Sequence, residues 1–176
     1  MLPPASRTLV IGGARSGKSR TAERLLNDDP EVVYVATAYP PGDDPEWNER
    51  LRIHRERRPP GWQTVETIDL VPLLEEVGPP LLIDCLTLWL TRVMDRHDAW
   101  TTQRYDEVEA EINALADAWA ASPRIVVAVT NELGQGVVPE SATVRAFRDL
   151  MGALNTRIAE ECGDVLWCVA GRVVRL

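Results

Sequence analysis

Five short runs of β-branched and aliphatic residues punctuate the chain: Thr8 to Ile11, Val32 to Ala36, Leu81 to Cys85, Ile125 to Val129 and Val165 to Ala170. Each is short and continuously apolar, which predicts strands buried on both faces. Between them the apolar period lengthens. Tyr105, Val108, Ile112, Leu115 and Trp119 fall three or four residues apart and lay one stripe along a helix, as do Val144, Phe147, Met151, Leu154 and Ile158. Ala22, Leu25 and Leu26 mark another helix after the first run. Strands alternating with helices predict an α/β fold, a mostly parallel sheet with helices on both faces. The final Gly171 to Leu176 is expected to form a turn and a short edge strand. One stretch breaks the rhythm. Thr37 to Trp62 is rich in proline and charge, and its middle, Pro45 to Arg57, predicts a short exposed helix. Asp43 and Asp44 suit its N-terminus, and Pro59 disfavours helix at Arg58. An insertion of this size after a strand is usually functional or mobile.

Composition narrows the choice of partners. With 176 residues, 45% hydrophobic and 26% charged, residues 1–176 read as one globular domain. Lys plus Arg number 19 against 27 Asp plus Glu, a formal charge of -8, so no nucleic-acid partner held by overall charge is expected. An anionic ligand needs a local basic site. Cys85, Cys162 and Cys168 form neither an even framework nor a C-x-x-C pair, which fits a reducing compartment. The most apolar run, Leu81 to Leu90, is too short to span a bilayer and is broken by Asp84, so no membrane insertion is expected and the protein reads as cytoplasmic.

Gly12-Gly13-Ala14-Arg15-Ser16-Gly17-Lys18-Ser19 fits G-x-x-x-x-G-K-[ST] between a predicted strand and a predicted helix. Glycines let the backbone wrap a phosphate so that several N–H groups and the helix N-terminus face negative charge. Lys18 would then reach the outer phosphates, and the Ser19 hydroxyl would ligate Mg²⁺. Asp84 ends the run Leu81-Leu82-Ile83, where a carboxylate facing that metal is expected. The same residues are not G-x-G-x-x-G, which disfavours a dinucleotide fold.

The local basic site lies in the insertion. Arg50, Arg52, Arg55, Arg57 and Arg58 crowd nine positions around His54, one of two histidines. In a helix Arg50 and Arg58 lie four residues from His54 and Arg57 three, on one face. Guanidiniums there would bind polyphosphate and, as like charges, favour the neutral imidazole a nucleophile needs. On charge pattern alone, a solvated charged helix with an incidental histidine is the favoured reading. His97, beside Asp95, Arg96 and Asp98, reads as a surface residue.

Taken together, these motifs resemble the bifunctional adenosylcobinamide kinase and adenosylcobinamide-phosphate guanylyltransferase family of cobalamin biosynthesis. The likeness runs nearly end to end. It includes GGARSGKS at Gly12 to Ser19, VYVAT at Val33 to Thr37, RLRIHRERRPPGW at Arg50 to Trp62 and DCLT from Asp84. It continues through VTNELG at Val129 to Gly134, VVPE at Val137 to Glu140, and RAFRD from Arg145 with Gly152 and Asn155. The chain departs from the family at Gly171-Arg172-Val173, where a proline is usual soon after the glycine. The resemblance implies phosphorylation of adenosylcobinamide by ATP or GTP, then transfer of GMP from GTP through guanylylated His54 to adenosylcobinamide phosphate. It further implies that Thr37, Ala38, Tyr39, Arg55, Glu56, Arg57, Arg58, Glu66 and Asp84 help bind the nucleotide. A homotrimer is also implied, with Trp47, Trp62 and Trp89 as candidate contacts. Two other readings fit most of the motifs: a P-loop small-molecule kinase with no covalent step, and a nucleotide switch without turnover.

Overall fold

In a computed structural model, which describes residues 6–56 and 58–176 and leaves out the Arg50 side chain, all five expected strands are present, each within two residues of its expected ends. They are β1 (Arg7–Gly12), β2 (Val33–Ala36), β4 (Leu81–Asp84), β5 (Val126–Asn131) and β6 (Asp164–Val169). Two edge strands complete the sheet: β3 (Gln63–Glu66), which the apolar pattern does not reveal, and the expected terminal strand β7 (Arg172–Arg175). Three of the four residues of β3 are exposed, so it carries no apolar run; pairing with β2 alone makes it a strand. The order is β3-β2-β4-β5-β1-β6-β7, parallel throughout except for β7. The hairpin to β7 turns at Ala170 (φ +49°) and Gly171 (φ +74°), and β7 pairs in register without the family's proline.

The helices are α1 (Lys18–Leu25), α2 (Pro45–Glu56), α3 (Leu70–Glu75), α4 (Leu86–Arg96), α5 (Ala99–Thr102), α6 (Asp106–Ala121) and α7 (Ala142–Glu160). On one face of the sheet Leu9, Val35, Leu81, Ile83, Val126 and Ala128 pack beneath α3, α4, α6 and α7. On the other, Val10, Tyr34, Leu82, Val127 and Val129 lie under Ala22 and Leu26 and under Trp62. The alternation of adjacent strand residues between these two clusters is the pleat expressed in packing.

From Val108 to Trp119 the α6 stripe is buried as its spacing predicts, with Tyr105 at the N-cap only partly so, and Met151, Leu154 and Ile158 of α7 are buried too. Val144, at the start of α7, is 44% exposed and outside the core. The helix α4 goes unannounced because LTLWL continues the apolar run of β4 with no change of period. It buries Trp89 to 2% exposure, with its indole N–H donating to the Ile68 carbonyl at 2.9 Å. Trp62 is likewise buried and donates to the Asp29 carbonyl. Both indoles are hydrogen-bonded within the chain. Among the described residues no helix is long and apolar enough to cross a membrane.

Candidate active site

The first βα turn is held by interactions that only its own residues permit. A Cβ on Gly12 would lie 2.6 Å from the Cys168 carbonyl oxygen and 2.6 Å from Ser16 Oγ, so the strand can end there only as glycine. Arg15 and Gly17 take positive φ, and Gly17 opens α1. The Ser16 carbonyl accepts from Gly171 N at 3.1 Å, which ties the loop to the β6–β7 turn. Lys18 folds back over the loop and donates to the Gly13 carbonyl at 3.0 Å. Ser16 Oγ is buried without a hydrogen-bond partner, while Gly13, Ala14 and Arg15 are exposed. The result is an open backbone cradle at the N-terminus of a helix, with a lysine at its mouth.

Asp84 closes β4 at the same end of the sheet, two strands from β1, about 10 Å at the usual strand spacing. Its side chain is 11% exposed, and Oδ2 accepts the Tyr34 hydroxyl at 2.7 Å. Burial first, and then the Asp84 carboxylate, push the Tyr34 hydroxyl well above its ordinary pKa, so it stays a donor. The neighbouring Cys85 thiol is pushed up to about 11, chiefly by burial and next by Asp84, with Lys18 opposing; the lysine and the carboxylate both act on this residue. A hydroxyl and a carboxylate are the hard oxygen donors that suit Mg²⁺, which typically takes one or two protein ligands and completes its shell with phosphates and water. Ser19 and Asp84 fit that description, and among the described residues no cluster of His, Cys, Asp and Glu offers a cage instead.

The insertion folds onto this end of the sheet. Asp44 Oδ1 accepts from the backbone N–H of Glu46 at 2.9 Å and of Trp47 at 3.3 Å, and with Pro45 in the first turn it starts α2 as expected. The helix stops at Glu56, so Arg58 does not share a helical face with His54. Arg58 instead lays its guanidinium 3.6 Å from the centre of the Tyr34 ring and donates to Thr64 Oγ1 at 2.7 Å. His54, 37% exposed at its side chain, brings Nδ1 to 3.9 Å from Asp84 Oδ2. Arg52 turns the other way, to Glu49 and Glu56, which takes the Glu56 carboxylate into an exposed pair on α2 rather than toward the site. Arg57 and the Arg50 side chain lie outside the described residues. Arg55 pairs with Glu66, and these two line a polar hollow of about 450 Å³ with Arg58, Trp62 and Thr64.

Thr37 is fully buried and wholly engaged. Its hydroxyl donates to the Cys85 carbonyl at 2.7 Å and accepts from Cys85 N at 2.8 Å, its N–H donates to the Asp84 carbonyl, and its own carbonyl accepts from Arg92 at 3.1 Å. It therefore holds the turn after β4, whereas the resemblance implies a part in nucleotide binding. Ala38 gives its carbonyl to the same Arg92 guanidinium, and Tyr39 lies under it, 39% exposed. Sequence reasoning passed over Tyr34 and Arg92. Arg92 could have been found as the one charge inside LTLWLTRVM; Tyr34 carries no signal beyond a polar tip in a buried strand. His97 is half-buried and bonded through Nε2 to Glu111 at 2.6 Å, a structural pair away from the site.

A phosphate cradle, a carboxylate at the strand end two places away and an arginine-flanked histidine beside it define a P-loop nucleotide-dependent transferase. Solved structures carry the fold alone. A prototypical ATPase from the type III secretion system of pathogenic bacteria superposes with a TM-score of 0.58 at 13% identity, over 93% of this chain and 51% of that one. A Pyrococcus horikoshii OT3 protein gives 0.54 at 9% identity, over 99% of this chain and 87% of that one. Sequence goes further. Residues 8–176 match the model of the cobinamide kinase / cobinamide phosphate guanyltransferase family. The chain is 38% identical over 179 residues to the bifunctional adenosylcobalamin biosynthesis protein CobU of Escherichia coli (strain K12), covering 96% of this chain and 98% of that protein. It is 43% identical over 170 residues to CobP of Pseudomonas aeruginosa, covering 94% of each. The chain belongs to the cobinamide kinase / cobinamide phosphate guanyltransferase family and is a bifunctional transferase of cobalamin biosynthesis.

Proposed function

We propose that this enzyme phosphorylates adenosylcobinamide with ATP or GTP and then guanylylates the product through His54. In the first step the aminopropanol hydroxyl attacks the γ-phosphate of a nucleotide cradled by Gly12 to Ser19, the bond to the β-phosphate oxygen breaks, and the nucleoside diphosphate leaves. Lys18 stabilises charge on the transferring oxygens. Mg²⁺, held by Ser19 and Asp84, would supply further charge neutralisation on the phosphates.

In the second step an imidazole nitrogen of His54 attacks the α-phosphate of GTP and expels pyrophosphate. The P–N bond then breaks as a phosphate oxygen of adenosylcobinamide phosphate attacks, giving adenosylcobinamide-GDP and free His54. The covalent enzyme divides a difficult displacement between two phosphates into two easier ones. Arg55 and Arg58 hold phosphates, with Glu66 and the hollow beside them taking part of the nucleotide; Tyr39 and Ala38 border the same end of the sheet.

The observation that supports this reading best is the seat of His54, 3.9 Å from the strand-end carboxylate and on the same end of the sheet as the phosphate cradle. An incidental histidine on a solvated helix would have no reason to lie there. The cysteines are unpaired, in keeping with a cytoplasmic enzyme. A homotrimer is the assembly the resemblance implies, and light scattering tests it. The function is tested by following both products with adenosylcobinamide and GTP. His54→Asn is expected to accumulate adenosylcobinamide phosphate and release no pyrophosphate. Pyrophosphate release at the wild-type rate in that variant would overturn the assignment.

A further inference from the structure

Tyr34 has a role that a buried tyrosine in a strand does not require. It sits on β2 at 2% exposure, on the face shared with α1, diagonal to Asp84 on the neighbouring strand, with Tyr34 opposite Leu82 in the register. A buried phenol needs one partner. The partner here is the carboxylate read as a metal ligand, and the hydroxyl donates to one of its oxygens, Oδ2, at 2.7 Å. The same ring carries the Arg58 guanidinium at 3.6 Å, and His54 Nδ1 lies 3.9 Å from the same Oδ2. One side chain thus contacts the strand-end carboxylate on one side and the arginine of the histidine segment on the other.

We propose that Tyr34 is a positioning residue for the metal side of the reaction, its hydroxyl fixing the orientation of Asp84 so that one carboxylate oxygen is presented to the nucleotide-bound cation. The assignment rests on the reading of Asp84 given above. Groups that hydrogen-bond a ligating carboxylate orient it, and losing one typically lowers metal affinity by about 10–100-fold. Phenylalanine at position 34 keeps the ring, and with it the seat of Arg58, and deletes only the donor.

The test titrates Mn²⁺ into the full chain saturated with a non-hydrolysable GTP analogue and reads free Mn²⁺ by electron paramagnetic resonance. Tyr34→Phe is expected to weaken Mn²⁺ by about tenfold or more. Made in an Asp84→Asn background, the same change is expected to alter affinity less than twofold, because the tyrosine acts through the carboxylate. Equal Mn²⁺ affinity in folded Tyr34→Phe and wild type overturns the proposal, as does an undiminished effect in the Asp84→Asn background. Should Tyr34→Phe fail to fold, its cause would be a carboxylate oxygen left without a donor. Folding of the double variant then supports the proposal, and its failure overturns it. A wild-type enzyme that forms no GMP adduct would remove the His54 chemistry and leave this metal readout intact.

Discussion

Replacing Thr37 by valine changes almost no volume and deletes one hydroxyl. That hydroxyl accepts from Cys85 N at 2.8 Å and donates to the Cys85 carbonyl at 2.7 Å, in a side chain with 0% exposure. The Cys85 carbonyl keeps the Trp89 N–H at 3.0 Å, so one main-chain group, the Cys85 N–H, is left buried and unsatisfied, at a cost of about 1–3 kcal/mol. For a chain of this length one kcal/mol moves the thermal midpoint by about 2–4 °C, which gives a fall of about 2–12 °C by differential scanning calorimetry. Thr37→Ser keeps the hydroxyl and loses a methyl group worth about 1 kcal/mol, and should fall less. Since Cys85 follows Asp84, the valine variant should also lose kinase turnover, by up to about 10²-fold if the carboxylate shifts by an ångström. A valine variant as stable as wild type, or a serine variant as unstable as valine, would refute the reasoning. A raised nucleotide KM with unchanged stability would return Thr37 to the nucleotide's ligands.

Lys18→Ala should fold normally and lose at least ~10²-fold in both activities, the scale of a lost transition-state charge contact; near-normal turnover in the folded variant would take the loop out of the site. Gly12→Ala places a methyl 2.6 Å from a backbone carbonyl and should cost about 1–3 kcal/mol, with nucleotide affinity measured by calorimetry falling alongside. Burial pushes the Cys85 thiol up to about 11 from 9.0. The unfolded chain therefore sheds this proton first as pH rises. The thiol's contribution is intact below pH ~9 and is lost between there and pH ~11, about 2–3 kcal/mol in all. Urea unfolding across that range should show the decline, and Cys85→Ala should flatten it; an unchanged slope would show that the thiol titrates elsewhere.

How much of this was legible in the sequence depended on whether a residue's role is local. The phosphate loop is read directly because its chemistry needs contiguous residues between a strand and a helix, and the buried strands are read because both faces are covered. The edge strand β3 was hidden because QTVE owes its state to β2, and α4 because its apolar residues continue those of β4. The strand order, which sets Asp84 two places from the loop, lies in no local pattern. The arginine cluster was visible as charge, but its partition was not. Arg52 goes to Glu49 and Glu56, Arg55 to Glu66 and Arg58 to the Tyr34 ring, and that division follows from where α2 stops and what the sheet presents beneath it. Thr37 lay in a recognisable motif, yet its hydroxyl serves a peptide 48 residues away.

The covalent step is tested most directly by incubating the enzyme with GTP labelled at the α-phosphate, denaturing it, and mapping the label by peptide mass spectrometry. The predicted result is one GMP on His54, stable in alkali and released by mild acid as a P–N bond requires, absent from His54→Asn while that variant still phosphorylates adenosylcobinamide. Label that persists in His54→Asn, or that maps to His97 or a lysine, would contradict the account.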